Sequence, residues 1–195
     1  MVGTGMKPET QKLIKETLKL KGGRSRLDKS LPFIFSVLDK LYGCSIVDVG
    51  CGRGMIGKAI VTEYGAKFSL YGIEVCEDYI NMDMMFNYEC IYAYDYLDCY
   101  KEFNDFDVFL FVDVLEHFSK DDAIEVITYL RNNNKKIIAS IPNAPKHWKQ
   151  DKSFEENNKF EKHLYNWTNE EVKKELGLNL VGENDGVGVY TNVCL

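Results

Sequence analysis

Asp48-Val49-Gly50-Cys51-Gly52-Arg53-Gly54 ends an apolar run with one carboxylate and then sets three glycines at alternate positions. Glycines so spaced let the backbone turn tightly and let a ligand approach it closely. Two patterns overlap here. Gly52 to Gly57 fits G-x-G-x-x-G, which lays a pyrophosphate on a helix N-terminus. One step earlier the stretch reads D-x-G-x-G-x-G, with the acid first. The two differ in charge. A phosphate about 4 Å from the Asp48 carboxylate would be opposed by on the order of 4 kcal/mol per charge at an effective dielectric near 20. A carboxylate there suits a nucleoside ligand with a cationic amino group and no phosphate. Gly57 also falls one turn inside the helix that follows, rather than in the turn itself.

Further acids and bases stand at intervals downstream. Glu74 and Val75 close "YGIEV", with Glu74 20 residues beyond Gly54. Asp95 and Tyr96 lie in "AYDYLD", and Asp113, Glu116 and His117 in "VDVLEHF". His117 could deprotonate or orient an acceptor, or "LEH" could simply close a strand. Asp113 could line a ligand or cap the loop. Asp107, at the start of an apolar run, reads as structural, bonding backbone near the first motif. From Pro142 to Trp167 the chain is polar and studded with His147, Trp148, His163, Tyr165 and Trp167. Long segments of this kind in compact domains are usually lids or binding loops. His163 and Tyr165 are expected to touch an acceptor, with Trp148 beside them; Trp167 could instead pin the segment to the core.

The elements needed to position these residues alternate between strand and helix. Pro8 to Lys21 and Leu31 to Leu41 read as helices that would form an N-terminal cap over residues 1–43. From residue 44 to 195 the pattern is one α/β unit. Strands are expected at Ser45–Val49, Phe68–Ile73, Ile91–Tyr94 and Asp107–Val112, the last apolar enough to be buried on both faces. Helices are expected at Gly54–Tyr64, Glu77–Phe86 and from a Ser119 cap to about Asn132. "KKIIASI" is a further buried strand. Thr168 and Glu171 form a capping box for a helix ending at Gly177. "LNLVGE" and "VGVYTNV" flank Asn184-Asp185-Gly186, a hairpin signal. Right-handed crossovers place helices on both faces. The fold class is thus a doubly wound, mostly parallel, seven-stranded Rossmann-like sheet with an antiparallel C-terminal strand. Its ligand belongs beyond the strands' carboxyl ends, beside the first strand.

"VDVGCGRG" resembles the first motif of class I S-adenosylmethionine (SAM)-dependent methyltransferases. "FDVFLFVDVLEH" is similar to the signature of their small-molecule group, such as the quinone O-methyltransferases, and "SIPNAP" and "HLYNWTNEEV" resemble the same group. The resemblance runs from about Cys44 to Val193. It implies a methyl group passed from SAM to oxygen or nitrogen of a small-molecule acceptor, with S-adenosylhomocysteine (SAH) as product. It also implies that Asp48, Gly50, Cys51, Gly52 and Gly54 hold the cofactor's amino acid end with Asp113. Glu74, beside Val75, would accept both ribose hydroxyls; Asp95 and the Tyr96 backbone would hold the adenine.

The chain carries a net charge of −6, which disfavours broad contact with nucleic acid backbones. The N/D-P-P-Y/F tetrapeptide of enzymes that methylate DNA base amines is missing after the fourth strand, so DNA is an unexpected partner. No run reaches the roughly 18 apolar residues of a membrane span, and the Lys-rich start lacks a signal-peptide core. The six cysteines form no C-x-x-C. These features point to a reducing, cytoplasmic setting with no structural metal. Two other functions fit the same motifs: a SAM-binding scaffold without turnover, and a nicotinamide-dependent oxidoreductase.

Overall fold

A computed structural model describes residues 6–17, 26–143 and 158–195. Seven strands form one sheet: β1 (Ser45–Val49), β2 (Ser69–Ile73), β3 (Cys90–Tyr92), β4 (Val108–Val112), β5 (Lys136–Pro142), β6 (Asn179–Asn184) and β7 (Val187–Thr191). Their order is β3-β2-β1-β4-β5-β7-β6. β1 to β5 pair in parallel, and β7 runs antiparallel to both of its neighbours. The hairpin turn lies where its residues require it: Asp185 and Gly186 both take positive φ, as a two-residue type I′ turn demands. The sequence order reverses at β1, where the chain goes to β2 on one side and later to β4 on the other. The crevice at that reversal collects the carboxyl ends of both neighbours.

The sheet is buried on both faces, and β4 shows how. Val108, Leu110 and Val112 join the cluster beneath α1 (Pro8–Thr17), α2 (Leu27–Leu38) and α3 (Met55–Tyr64). Phe109 and Phe111 point the other way, toward α5 (Lys120–Asn132) and Trp167. Between these lies α4 (Tyr96–Cys99), and near the C-terminus α6 (Asn169–Glu171) runs on into a wider π turn over Val172–Leu176. The Thr168–Glu171 capping box forms as expected, and Gly177 ends the turn in the left-handed region. The Ser119 side chain caps α5 by accepting the Asp122 N–H. The described part of the N-terminal region is continuous with the domain: Leu13, Leu27, Leu31 and Ile34 share one cluster with Ile46 and Leu110.

Several boundaries differ from the sequence reading. α2 begins at Leu27 and runs through Pro32. The buried stripe Leu27, Leu31, Ile34, Leu38 repeats at helical spacing and outweighs the lost amide. The helix expected over Glu77–Phe86 is two short 3₁₀ turns, Glu77–Tyr79 and Met82–Phe86. Ile80 and Asn81 are extended between them, and the Asn81 side chain accepts the Asp83 N–H, offering the backbone a local alternative to helix. The third strand stops at Tyr92, two residues short of the expected end. Positions 18–21 of the first expected helix, and Trp148 with residues 144–157, lie outside the described residues.

Candidate functional site

The glycine turn joins β1 to α3 at the mouth of the crevice. Gly50, Gly52 and Gly54 all take positive φ, at 64°, 54° and 75°. A Cβ at Gly50 would come 2.8 Å from Val114 Cγ2, and one at Gly54 would come 2.7 Å from Met84 Cγ. Both steric grounds exclude a side chain at these positions. Three of the turn's amides are committed within the protein. Cys51 N–H donates to the Ile73 carbonyl (3.0 Å), and Gly54 N–H to the Cys51 carbonyl (2.9 Å). Gly52 N–H donates to Glu74 Oε2 at 2.7 Å. Cys51 turns its thiol inward to where a Cβ on Gly72 would come 2.9 Å from Sγ. Burial pushes that thiol up, so Cys51 offers a ligand its backbone and not a thiolate.

Glu74 is buried at the end of β2, and its other oxygen accepts Cys76 N–H at 2.8 Å. Burial raises its carboxyl against the lowering effect of those two amides. Asp48 is 2% exposed. Its Oδ2 accepts the Tyr88 hydroxyl at 2.5 Å, and Tyr88 Oη in turn accepts Gly57 N–H at 3.0 Å. Burial pushes Asp48 up to about 7, the Tyr88 bond lowers it, and the nearby Glu74 charge raises it. This corrects the charge argument drawn from sequence. Asp48 is a hydrogen-bonded group poised between its two protonation states, not a full anion standing in the turn. It also explains Gly57, since a Cβ there would lie 2.3 Å from Tyr88 Cζ. The last glycine of the literal dinucleotide match makes room for a tyrosine. Tyr88 carried no sequence signal, as it sits in an ordinary apolar approach to β3.

The other strand ends complete the cleft. Asp95 accepts Leu97 N–H at 3.1 Å and caps α4. Tyr96 opens α4, where an amide has no intrahelical acceptor. Its ring is buried among Phe103, Phe109 and Phe111, and among the described residues its hydroxyl has no hydrogen-bond partner. Asp113, just past β4, takes a left-handed φ of 56°. Its side chain fixes that conformation: Oδ1 accepts the Ser140 hydroxyl at 2.8 Å and Oδ2 the Arg26 N–H at 3.1 Å. Burial raises its carboxyl. The cleft so bounded holds about 1450 Å³ and is lined by Asp48, Gly50, Cys51, Gly52, Glu74, Val75, Asp95, Tyr96 and Asp113.

The segment after residue 157 crosses this cleft. Tyr79 Oη donates to Glu161 Oε1 at 2.8 Å and accepts from Asn158 Nδ2 at 3.2 Å. Farther on, the Leu164 and Tyr165 amides both donate to the Glu116 carbonyl, at 2.8 and 3.1 Å. Trp167 is fully buried, and its Nε1–H donates to the Leu115 carbonyl at 3.2 Å. These bonds bring His163 against His117, ring centroids 4.9 Å apart and edge to face. Both rings line the cleft with Glu116. Donor atoms of Glu116, His117 and His163 all lie within 4.8 Å of one another. Burial lowers both imidazoles, His163 to about 4, and lifts Glu116 well above the usual carboxylate range. Tyr165 is placed differently from His163. It does not line the cleft; its hydroxyl donates to Glu171 Oε1 at 2.6 Å and its ring packs edge-on against Trp167. Its position two residues after His163 turns it away from the acceptor side and against the core.

No protein-family model and no curated protein matches the sequence. Solved structures share the fold. An O-methyltransferase family protein from Burkholderia thailandensis is 16% identical with a TM-score of 0.56, over 85% of this chain and 55% of its own. The chain therefore spans about half the length of that neighbour. The 1,6-didemethyltoxoflavin-N1-methyltransferase of Burkholderia thailandensis, solved with its substrate and S-adenosylhomocysteine, is 13% identical with a TM-score of 0.56, over 84% and 77% of the two chains. A Rhodobacter sphaeroides protein assigned to the Zn-dependent alcohol dehydrogenases is 12% identical with a TM-score of 0.63, over 94% and 96%. The sheet order with its antiparallel seventh strand is that of the Rossmann-like methyltransferase fold. At these identities the likeness carries the fold alone, and choosing among ligands falls to the site.

Proposed function

We propose that this protein is a SAM-dependent methyltransferase acting on oxygen or nitrogen of a small-molecule acceptor. One observation carries the reading. The amides of Cys51, Gly52 and Gly54 are all donated inside the protein, and a buried carboxylate occupies the Gly52 N–H. A phosphate cradle needs such amides pointing at the ligand. The turn therefore favours a nucleoside cofactor without phosphate, whose backbone contacts are steric, at Gly50 and Gly54. SAM meets that requirement and supplies an activated methyl group on a sulfonium.

The chain's own residues would divide the work. Glu74 has lone pairs beyond those used by Gly52 and Cys76 and would accept ribose hydroxyls. Asp95 and the Tyr96 amide would hold the adenine edge. Asp48 and Asp113 would face the ammonium of the amino acid end, and Asp48, with its acidity near neutral, can ionise there when that cation arrives. His117, from the turn after β4, and His163, from the strap that crosses the cleft, would face the acceptor together. Displacement at a methyl carbon demands chiefly alignment of nucleophile, carbon and leaving group, and a strap tied at both ends provides it. Small-molecule specificity is supported by the 1,6-didemethyltoxoflavin bound to the N1-methyltransferase neighbour and by the acidic net charge.

Calorimetric titration of the full chain with SAM, SAH and NAD tests the reading. SAM and SAH should bind with one site per chain and NAD should give no heat. NAD binding without SAM binding would overturn it. SAM binding with no SAH released across a broad acceptor panel would reduce the protein to a scaffold.

A further inference from the structure

We propose that Glu116, His117 and His163 form a divalent metal site on the acceptor side of the cleft, taking a first-row ion such as Mn²⁺ or Zn²⁺. The inference deepens the methyltransferase reading and rests on it for its role, though not for its existence. Three observations point to the ion. First, Glu116 is 2% exposed, and its Oε2 has no hydrogen-bond partner among the described residues. An unpartnered buried carboxyl oxygen is costly, and a bound cation removes that cost. Second, donor atoms of three side chains from two distant parts of the chain meet within 4.8 Å. Two donors on one ion lie at most about 4.2 Å apart when each bond is about 2.1 Å, so modest side-chain rotation closes the set. Third, the tautomer is fixed. His117 Nδ1 lies 3.1 Å from the Lys162 carbonyl, which can only accept. Nδ1 therefore carries the proton, and Nε2 keeps its lone pair for a metal, with the carbonyl as the partner that orients a ligating histidine.

Two nitrogens and one carboxylate leave coordination positions open toward the cleft, a donor set suited to Mn²⁺ through Zn²⁺ and not to a closed structural site. An acceptor hydroxyl bound there would lose its proton to solvent more readily. Its oxygen lone pair would form the new bond to the methyl carbon, and the carbon–sulfur pair would return to sulfur as SAH leaves. The acceptor class this favours is an alcohol or phenol, with a second oxygen able to share the ion. Sequence spacing conceals the set, because His163 lies 46 residues beyond His117.

The test uses the full chain, dialysed against chelator and titrated with Mn²⁺ by electron paramagnetic resonance and with Zn²⁺ by calorimetry. One ion per chain should bind in the absence of SAM. Glu116→Gln and His163→Ala should each weaken it at least tenfold while SAM affinity stays within threefold of wild type. Absence of stoichiometric binding of either ion, or binding unchanged in both variants, overturns the site; the second result would point to cysteines as the ligands. Glu116→Gln keeps shape and volume, and its circular dichroism melt separates lost ligation from lost fold. Failure of SAM to bind a protein that still takes up one ion would sink the methyltransferase reading and leave the metal site standing.

Discussion

Replacing Asp48 by asparagine separates what this residue costs the fold from what it gives the site. Burial lifts its carboxyl from 3.8 to about 7. The folded protein therefore holds a proton that the unfolded chain releases near pH 4. Stability from this group is full below that pH, falls as pH rises toward 7, and is level above. About three pH units at about 1.4 kcal/mol each gives roughly 4 kcal/mol between the two plateaus. The groups facing Asp48 are Tyr88, Glu74 and Cys51, and Glu74 titrates in the same direction, so the wild-type curve alone is ambiguous. Asp48→Asn cannot ionise, yet its amide oxygen can still accept the Tyr88 hydroxyl. Urea unfolding of both proteins between pH 5 and pH 8 should show the wild type losing about 2–3 kcal/mol relative to the variant across that range. The same ionisation should serve the cofactor. SAM affinity in the wild type should rise up to about tenfold per pH unit below pH 7, as one proton leaves on binding, and should be weak and flat in the variant. Parallel stability curves, or SAM binding indifferent to the substitution, would refute the assignment of Asp48 as a buried, titrating counter-charge.

Four further outcomes test the remaining geometry. Gly57→Ala should destabilise by roughly 1–3 kcal/mol in urea, because its methyl meets Tyr88 at 2.3 Å and the ring must leave Asp48. Glu74→Gln should lower SAM affinity by about 10- to 100-fold by calorimetry, the worth of a charge-assisted hydrogen bond, and cost about 1–3 kcal/mol in urea unfolding, because one of the two amides it holds loses its acceptor. Trp167→Ala should cost about 3–5 kcal/mol by urea unfolding, since the indole is fully buried and its N–H holds the Leu115 carbonyl. Tyr165→Phe loses one bond to Glu171; it should cost about 1 kcal/mol of stability and leave acceptor turnover unchanged.

Much of the strand-end side of the cleft was legible because its signals are local. The apolar run of β4, the glycines after β1 and the acid closing β2 each mark a strand end within a few residues. The sheet's alternation with helices then places those ends together. What escaped depends on contacts distant in sequence. Tyr88 reaches Asp48 across 40 positions, and nothing around it announces a hydroxyl buried under a glycine turn. The Glu77–Phe86 stretch has the apolar spacing of a helix, but Asn81 satisfies a nearby amide with its own side chain and breaks the run. Tyr165 and His163 looked equivalent from sequence; two backbone bonds to one carbonyl decide which of them enters the cleft.

Those backbone bonds also explain how a common fold could carry an individual specificity. The strap is anchored through main-chain amides at Leu164 and Tyr165 and through a buried indole, and at its other end through Tyr79. None of these anchors uses the His163 side chain, so that residue can change while they hold the strap. The cleft beneath holds about 1450 Å³, more than the roughly 300–1,000 Å³ of a single ligand pocket. That volume accommodates a nucleoside cofactor on the glycine turn together with a second molecule beside Glu116 and the two histidines. The α2 end closes the third side, because Arg26 N–H holds Asp113. In the proposed reading, cofactor and acceptor would meet between a floor built by strand ends and a roof built by a tethered segment, and the roof would decide the identity of the acceptor. Exchanging His163 and its neighbours on the strap should therefore alter acceptor choice while SAM affinity holds, which steady-state comparison across an acceptor panel would reveal.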